Sequence, residues 1–135
     1  MNITRRTDYA VHLIADLAKS SDTSMGLRTL AECHDVTYAF ARTVQKGLLK
    51  AGIIKTTRGI NGGIMLVKKL NEITLLDVFE AAQEPLSRTL DTSDASWCSC
   101  EGSCISNNMW DSTKKVLSEH FSKITMQQVV DQNKL

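Results

Sequence analysis

Apolar positions recur at helical spacing over residues 4–19, where Ala10, Leu13, Ile14 and Leu17 fall on one side and Arg6, Asp16 and Lys19 on the other. The pattern predicts an amphipathic first helix. A stretch of small polar residues, 20–26, leads into a short second helical pattern over 27–34, with Leu27, Leu30 and Ala31 on one face. Only Asp35 and Val36 separate that pattern from Thr37, whose hydroxyl suits a helix N-cap. A third helix then runs through Phe40, Val44 and Leu48 until Gly52 stops it. Two helices joined so closely make a helix-turn-helix.

Beyond Gly52 the β-prone runs 53–57 and 64–67 flank Arg58-Gly59-Ile60-Asn61-Gly62-Gly63, which predicts a β-hairpin and hence a wing. Thr74 is placed to cap a helix through Ala81 or Ala82, with Leu75, Val78 and Phe79 apolar, and Pro85 marks its end. Residues 87–106 are rich in Ser, Asp, Thr and Gly and read as a long loop. From Asn107 a last helical pattern sets Trp110, Thr113, Leu117, Phe121 and Ile124 along one stripe. Such a stripe outside the core is costly to leave in water. Trp110, Leu117, Phe121 and Ile124 are therefore the expected seam of an isologous homodimer. The predicted fold is mainly α with a small β-hairpin. It comprises a winged helix-turn-helix domain over 1–85, a loop over 86–106, and a long C-terminal dimerisation helix with its tail over 107–135.

A chain of 135 residues suits one domain plus such an element. Its net charge of +1 argues little for a nucleic-acid partner, but the distribution does. Between positions 37 and 69 stand Arg42, Lys46, Lys50, Lys55, Arg58, Lys68 and Lys69, with no acidic residue. An acid-free block of this length attracts a polyanion. In a helix-turn-helix the start of the second helix enters the major groove, which nominates Thr37, Tyr38, Ala39 and Arg42. Arg42 is the candidate for direct readout, because a guanidinium pairs with two acceptors of guanine, while Thr43 and Lys46 suit phosphates. On the hairpin tip Arg58, Asn61 and Gly62 are the candidate contacts, with the glycines allowing close approach to a duplex and arginine suited to a minor groove.

Four cysteines are present, and three of them, Cys98, Cys100 and Cys104, fall within seven residues. Clustered thiols with small residues between them point to metal or redox chemistry, and thiolates bind iron or zinc well. Cys33 stands apart, in an apolar helical pattern, and reads as a buried structural cysteine. His12 and His34 read as helix-face residues and His120 as a residue of the dimer helix. The start of the chain lacks the apolar stretch of a secretory signal and no run of 18 apolar residues occurs, so a cytoplasmic protein without a membrane partner is expected. An enzyme is not expected, for no paired acid and base, nucleophile elbow or phosphate loop is found.

Three segments resemble the IscR, NsrR and RirA family of bacterial winged-helix repressors. They are Ile3-Thr4-Arg5-Arg6-Thr7-Asp8-Tyr9-Ala10, Leu48-Leu49-Lys50-Ala51-Gly52-Ile53 and the wing sequence starting at Arg58. The resemblance covers nearly the whole chain. It implies a transcription repressor that binds a palindromic operator as a homodimer, with an iron-sulfur cluster (2Fe-2S or 4Fe-4S) sensing nitric oxide, iron or redox state. In cluster-bearing members three cysteines are evenly spaced. Cys98 and Cys104 reproduce one interval, Thr92 stands where the other would end, and Cys100 is additional. Asp8 occupies the place of the aspartate that completes the site from the other subunit in the NO-sensing branch. Asn107 stands where some relatives carry a ligating histidine. A zinc site or a thiol-disulfide switch in the same loop is the alternative.

Overall fold

A computed structural model describes residues 3–20, 23–83 and 105–132. The first helix, α1 (Arg5–Lys19), is capped by Thr4, whose hydroxyl accepts from the Thr7 amide, and it buries Tyr9, Ala10, Leu13, Ile14 and Leu17. It packs against the third and fourth helices and the second strand. Next, α2 (Leu27–Cys33) contributes Leu27, Leu30 and Ala31 to the same core. The turn after it is tightened by Asp35 at φ 49°, a left-handed conformation that a short polar side chain tolerates. The Val36 amide donates back to the Ala31 carbonyl at 3.1 Å. Thr37 then caps α3 (Tyr38–Lys50) by accepting from the Phe40 amide, and Ala41, Val44 and Leu48 face inward. The predicted helix-turn-helix is present.

Strands β1 (Ile54–Thr57) and β2 (Gly63–Leu66) pair antiparallel, with Ile54 opposite Leu66 and Thr56 opposite Ile64. Ile53, Ile54 and Ile64 turn into the core, whereas Lys55, Thr56 and Thr57 face out. A short 3₁₀ turn (Leu70–Glu72) leads to α4 (Leu75–Ala82), whose start is closed reciprocally by Thr74 and Asp77. Helices α3 and α4 cross at Gly47, where a Cβ would lie 2.0 Å from the Ala81 carbonyl oxygen, so no larger residue fits without moving a helix.

Two features of the C-terminal part differ from the sequence expectation. The long helix α5 (Ile105–Lys123) begins two residues before Asn107. The following segment is no tail: Thr125 and Gln128 cap a further helix, α6 (Met126–Val130), whose Met126 is fully buried. Backbone bonds tie this segment to the entrance of α4, the Leu75 amide donating to Ile124 and the Met126 amide to Ile73, both at 2.8 Å. Ile124 therefore lies beyond the helix and is buried in its own chain, so it is unavailable to the seam in which its spacing had placed it. Burying an Ile or Met side chain contributes roughly 1.5–3 kcal/mol, which explains why the segment returns to the core.

Cys33 also departs from expectation, being exposed rather than buried. Leu27, Leu30 and Ala31 define the inner face of α2, and at 100° per residue Cys33 turns more than a quarter circle away from it. His34 lies past the end of α2 rather than on its face, and its Nε2 sits 2.6 Å from Asp16 Oδ2 of α1. No helix among the described residues is long and apolar enough to cross a membrane.

Candidate nucleic-acid interface

With Ala41, Val44 and Leu48 committed to the core, the opposite side of α3 presents Ala39, Arg42, Thr43 and Lys46. Their i, i+3, i+4, i+7 spacing puts them on one exposed face. Thr37 and Tyr38 are exposed at its start. The Thr37 hydroxyl is used as an acceptor by the cap and keeps its proton free to donate, while the Thr43 hydroxyl donates to the Ala39 carbonyl at 3.1 Å. Among the described residues no ion pair engages Arg42, Lys46 or Arg58, so their charge is not neutralised within the chain.

One element of this face was not foreseen. Arg28, in the first turn of α2, lies over the Tyr38 ring with its guanidinium carbon 5.3 Å from the ring centre. The contact joins the first turns of both helices of the motif and adds a cation to their outer edge. No local pattern announces it, since Arg28 and Tyr38 meet only once the turn at Asp35 has formed.

The wing is a braced structure. Gly62 donates its amide to the Gly59 carbonyl at 2.9 Å, and a Cβ at Gly62 would lie 2.5 Å from the Thr57 oxygen. Glycine at this position thus serves the closure of the hairpin itself, not only an approach to a ligand. Ser24 Oγ donates to the Asn61 carbonyl, and Met25 exchanges backbone bonds with Ile64 at 3.0 and 2.8 Å. Arg58 and Asn61 stay exposed on this tip, and Gly62 is half-buried.

Around α1 lies a second group of polar side chains. Asp8 is exposed in the first turn, and His12 Nε2 lies 3.9 Å from its Oδ1, too far for a hydrogen bond. The His12 and His34 rings are 5.0 Å apart, and Tyr9 meets His34 edge-on at 5.8 Å. The Tyr9 hydroxyl is buried and has no hydrogen-bond partner among the described residues. Burial pushes its phenol above the ordinary range, with the Asp16 carboxylate and the Cys33 thiol acting in the same direction.

Cys98, Cys100 and Cys104 lie outside the described residues. Among the described residues no three His, Cys, Asp or Glu side chains converge to hold a metal. The donor chemistry nevertheless fits an iron-sulfur cluster, since thiolates are its usual ligands and the Asp8 carboxylate is a surface oxygen donor not bound up in a buried ion pair. His120 lies on the last turn of α5, 6.2 Å ring to ring from Phe121. On the same helix Trp110, Leu117 and Phe121 are half-buried, and the Phe121 ring meets Phe79 of α4 at a 47° tilt with centres 5.6 Å apart. Met109 and Val116 are exposed, at 52% and 62%.

The architecture is shared with known regulators. The structure superposes on CymR, the global cysteine regulator of B. subtilis, with a TM-score of 0.77 at 18% identity, covering 99% of both chains. On IscR of T. potens it reaches 0.75 at 20% identity, covering 99% of this chain and 89% of that one. In sequence it is 26% identical over 138 residues to the helix-turn-helix-type transcriptional regulator IscR of Pectobacterium atrosepticum, covering 97% of this chain and 80% of the relative. The family model described as "Rrf2: Iron-dependent Transcriptional regulator" matches residues 3–132. That match takes in the helix-turn-helix, the wing and the returning C-terminal segment alike, and the chain belongs to the Rrf2 family of winged-helix DNA-binding transcriptional regulators.

Proposed function

We propose that the chain is a homodimeric repressor that binds a palindromic operator and is switched by an iron-sulfur cluster held by Cys98, Cys100 and Cys104, with Asp8 of the partner subunit as the fourth ligand. The observation that carries the DNA-binding part is the unpaired basic face of α3 standing beside a braced, arginine-bearing wing. Arg42 reads a base edge in the major groove. Thr37, Tyr38 and Ala39 enter the groove beside it at the base edges, Thr43 and Lys46 hold phosphates, and Arg58, Asn61 and Gly62 follow the adjacent minor groove. Trp110, Leu117 and the half-buried Phe121, extended by the exposed Met109 and Val116, supply the dimer surface. When bound, the cluster supplies a reactive iron centre that responds to nitric oxide, iron supply or redox state. The chain's own part is to offer three thiolates and a carboxylate at the foot of a helix of the DNA-binding domain, so that occupancy biases the position of α1. The family description as iron-dependent regulators supports this reading. A thiol switch in the same loop is the second reading, supported by the likeness to a crystal structure of Staphylococcus aureus CymR in an oxidized form.

The test is duplex selection from a random DNA library by the full chain, followed by affinity measurements across a salt series. Arg42→Ala should lose discrimination at one base pair, worth roughly 1–3 kcal/mol, and Lys46→Ala should weaken all sequences and reduce the salt slope by about one. Variants that both bind within about twofold of wild type would contradict the groove assignment.

A further inference from the structure

At 105%, Ile60 is the most exposed large apolar side chain among the described residues, where Ile3, Tyr38, Val67, Met109 and Val116 range from 42% to 69%. A single exposed isoleucine needs no explanation in itself, but this one occupies the tip of a wing that is fixed on three sides. The Gly62 amide closes the turn onto Gly59, the Ser24 hydroxyl anchors Asn61, and Met25 pairs with Ile64. Ile60 is therefore presented at a defined place, two residues from Arg58, within the acid-free stretch of the chain.

We propose that Ile60 is an apolar minor-groove contact that makes the protein prefer A·T over G·C pairs beneath the wing. The inference rests on the reading of the wing as DNA-facing. Both kinds of base pair line the groove floor with acceptors, so covering those atoms discriminates little. Only G·C adds the guanine 2-amino donor. An aliphatic side chain laid over that donor excludes water and offers no acceptor, leaving it unpaired, whereas an A·T floor meets no such penalty. Arg58 supplies attraction to the groove and Ile60 supplies the preference.

The experiment uses the full chain and a duplex it selects from a random library, with the pairs protected by the wing located by hydroxyl-radical footprinting. Those pairs are then changed from A·T to inosine·C, which lacks the 2-amino group, and to G·C. Wild type should bind the A·T and inosine·C duplexes alike and the G·C duplex about fivefold or more weakly. Ile60→Ser, at a fully exposed position, should fold normally and bind all three within about twofold. Arg58→Ala should bind less tightly with a shallower salt dependence, yet keep the ranking. A flat ranking in wild type, an unchanged ranking in Ile60→Ser, or its loss in Arg58→Ala alone would overturn the proposal while leaving DNA binding intact. Failure of the chain to select any duplex would overturn the DNA-binding reading, and this inference with it.

Discussion

Gly47 of α3 and Ala81 of α4 approach so closely that a methyl group on Gly47 would lie 2.0 Å from the Ala81 carbonyl oxygen. The contact locks α3 onto α4. Through the tilted Phe79–Phe121 ring contact α4 is in turn tied to the long helix α5, and through Ile124 and Met126 to the C-terminal segment. A continuous packed path thus joins the proposed dimer surface to the face of Arg42.

Gly47→Ala tests that path. Alanine normally favours a helix over glycine by about 1 kcal/mol, but forcing a methyl group into this crossing costs about 1–3 kcal/mol or more. The melting temperature should fall by a few degrees, and operator affinity should fall with it because α3 must shift. A higher melting temperature would show that the crossing has slack.

Tyr9 gives a pH prediction. Its phenol is raised in the folded chain, so the unfolded chain releases the proton first, and stability is retained below the ordinary tyrosine value of about 10 and declines as pH rises above it. Tyr9→Phe removes a buried hydroxyl that lacks a partner among the described residues. It should leave stability at neutral pH unchanged or raise it by about 1 kcal/mol, and flatten the alkaline decline. Denaturant titrations at pH 7 and at alkaline pH check both; a strong loss at pH 7 would mean that the hydroxyl has a partner.

The Arg28–Tyr38 stack should couple the two helices of the motif. A double-mutant cycle on operator affinity with Arg28→Ala and Tyr38→Ala should return an interaction of roughly 0.5–1 kcal/mol. Strict additivity would mean that the guanidinium acts independently of the ring.

Much of this was legible in the sequence, and the failures have physical causes. Thr37 and Thr74 announced helix starts because capping is decided by the residues on the spot, and the exposed face of α3 and the hairpin at Arg58 were legible for the same local reason. Ile124 was misplaced because its spacing continues the stripe of α5, and nothing local records that the chain leaves the helix at Lys123 to bury Ile124 and Met126. Cys33 was misread because its closeness in sequence to Leu30 and Ala31 does not put it on the face they share. Arg28 and the bracing of the wing by Ser24 depend on residues brought together from different elements, and so leave no periodic trace.

For the dimer surface, Val116→Glu is the cleanest probe, since Val116 is 62% exposed in the single chain and the charge should not disturb its own core. Sedimentation should show monomers, and operator affinity should drop steeply, because two half-sites no longer bind as one unit. A dimer that persisted with unchanged affinity would place the interface elsewhere.

Control of DNA binding by iron is most directly tested by comparing anaerobically purified wild type with the triple variant Cys98→Ala, Cys100→Ala, Cys104→Ala, measuring iron, sulfide and affinity for the same selected operator. Wild type should be brown, contain both iron and sulfide, and differ from the colourless variant in operator affinity by about tenfold, a coupling of about 1.4 kcal/mol. Equal iron and sulfide in the two proteins, or indistinguishable operator affinities, would contradict the account.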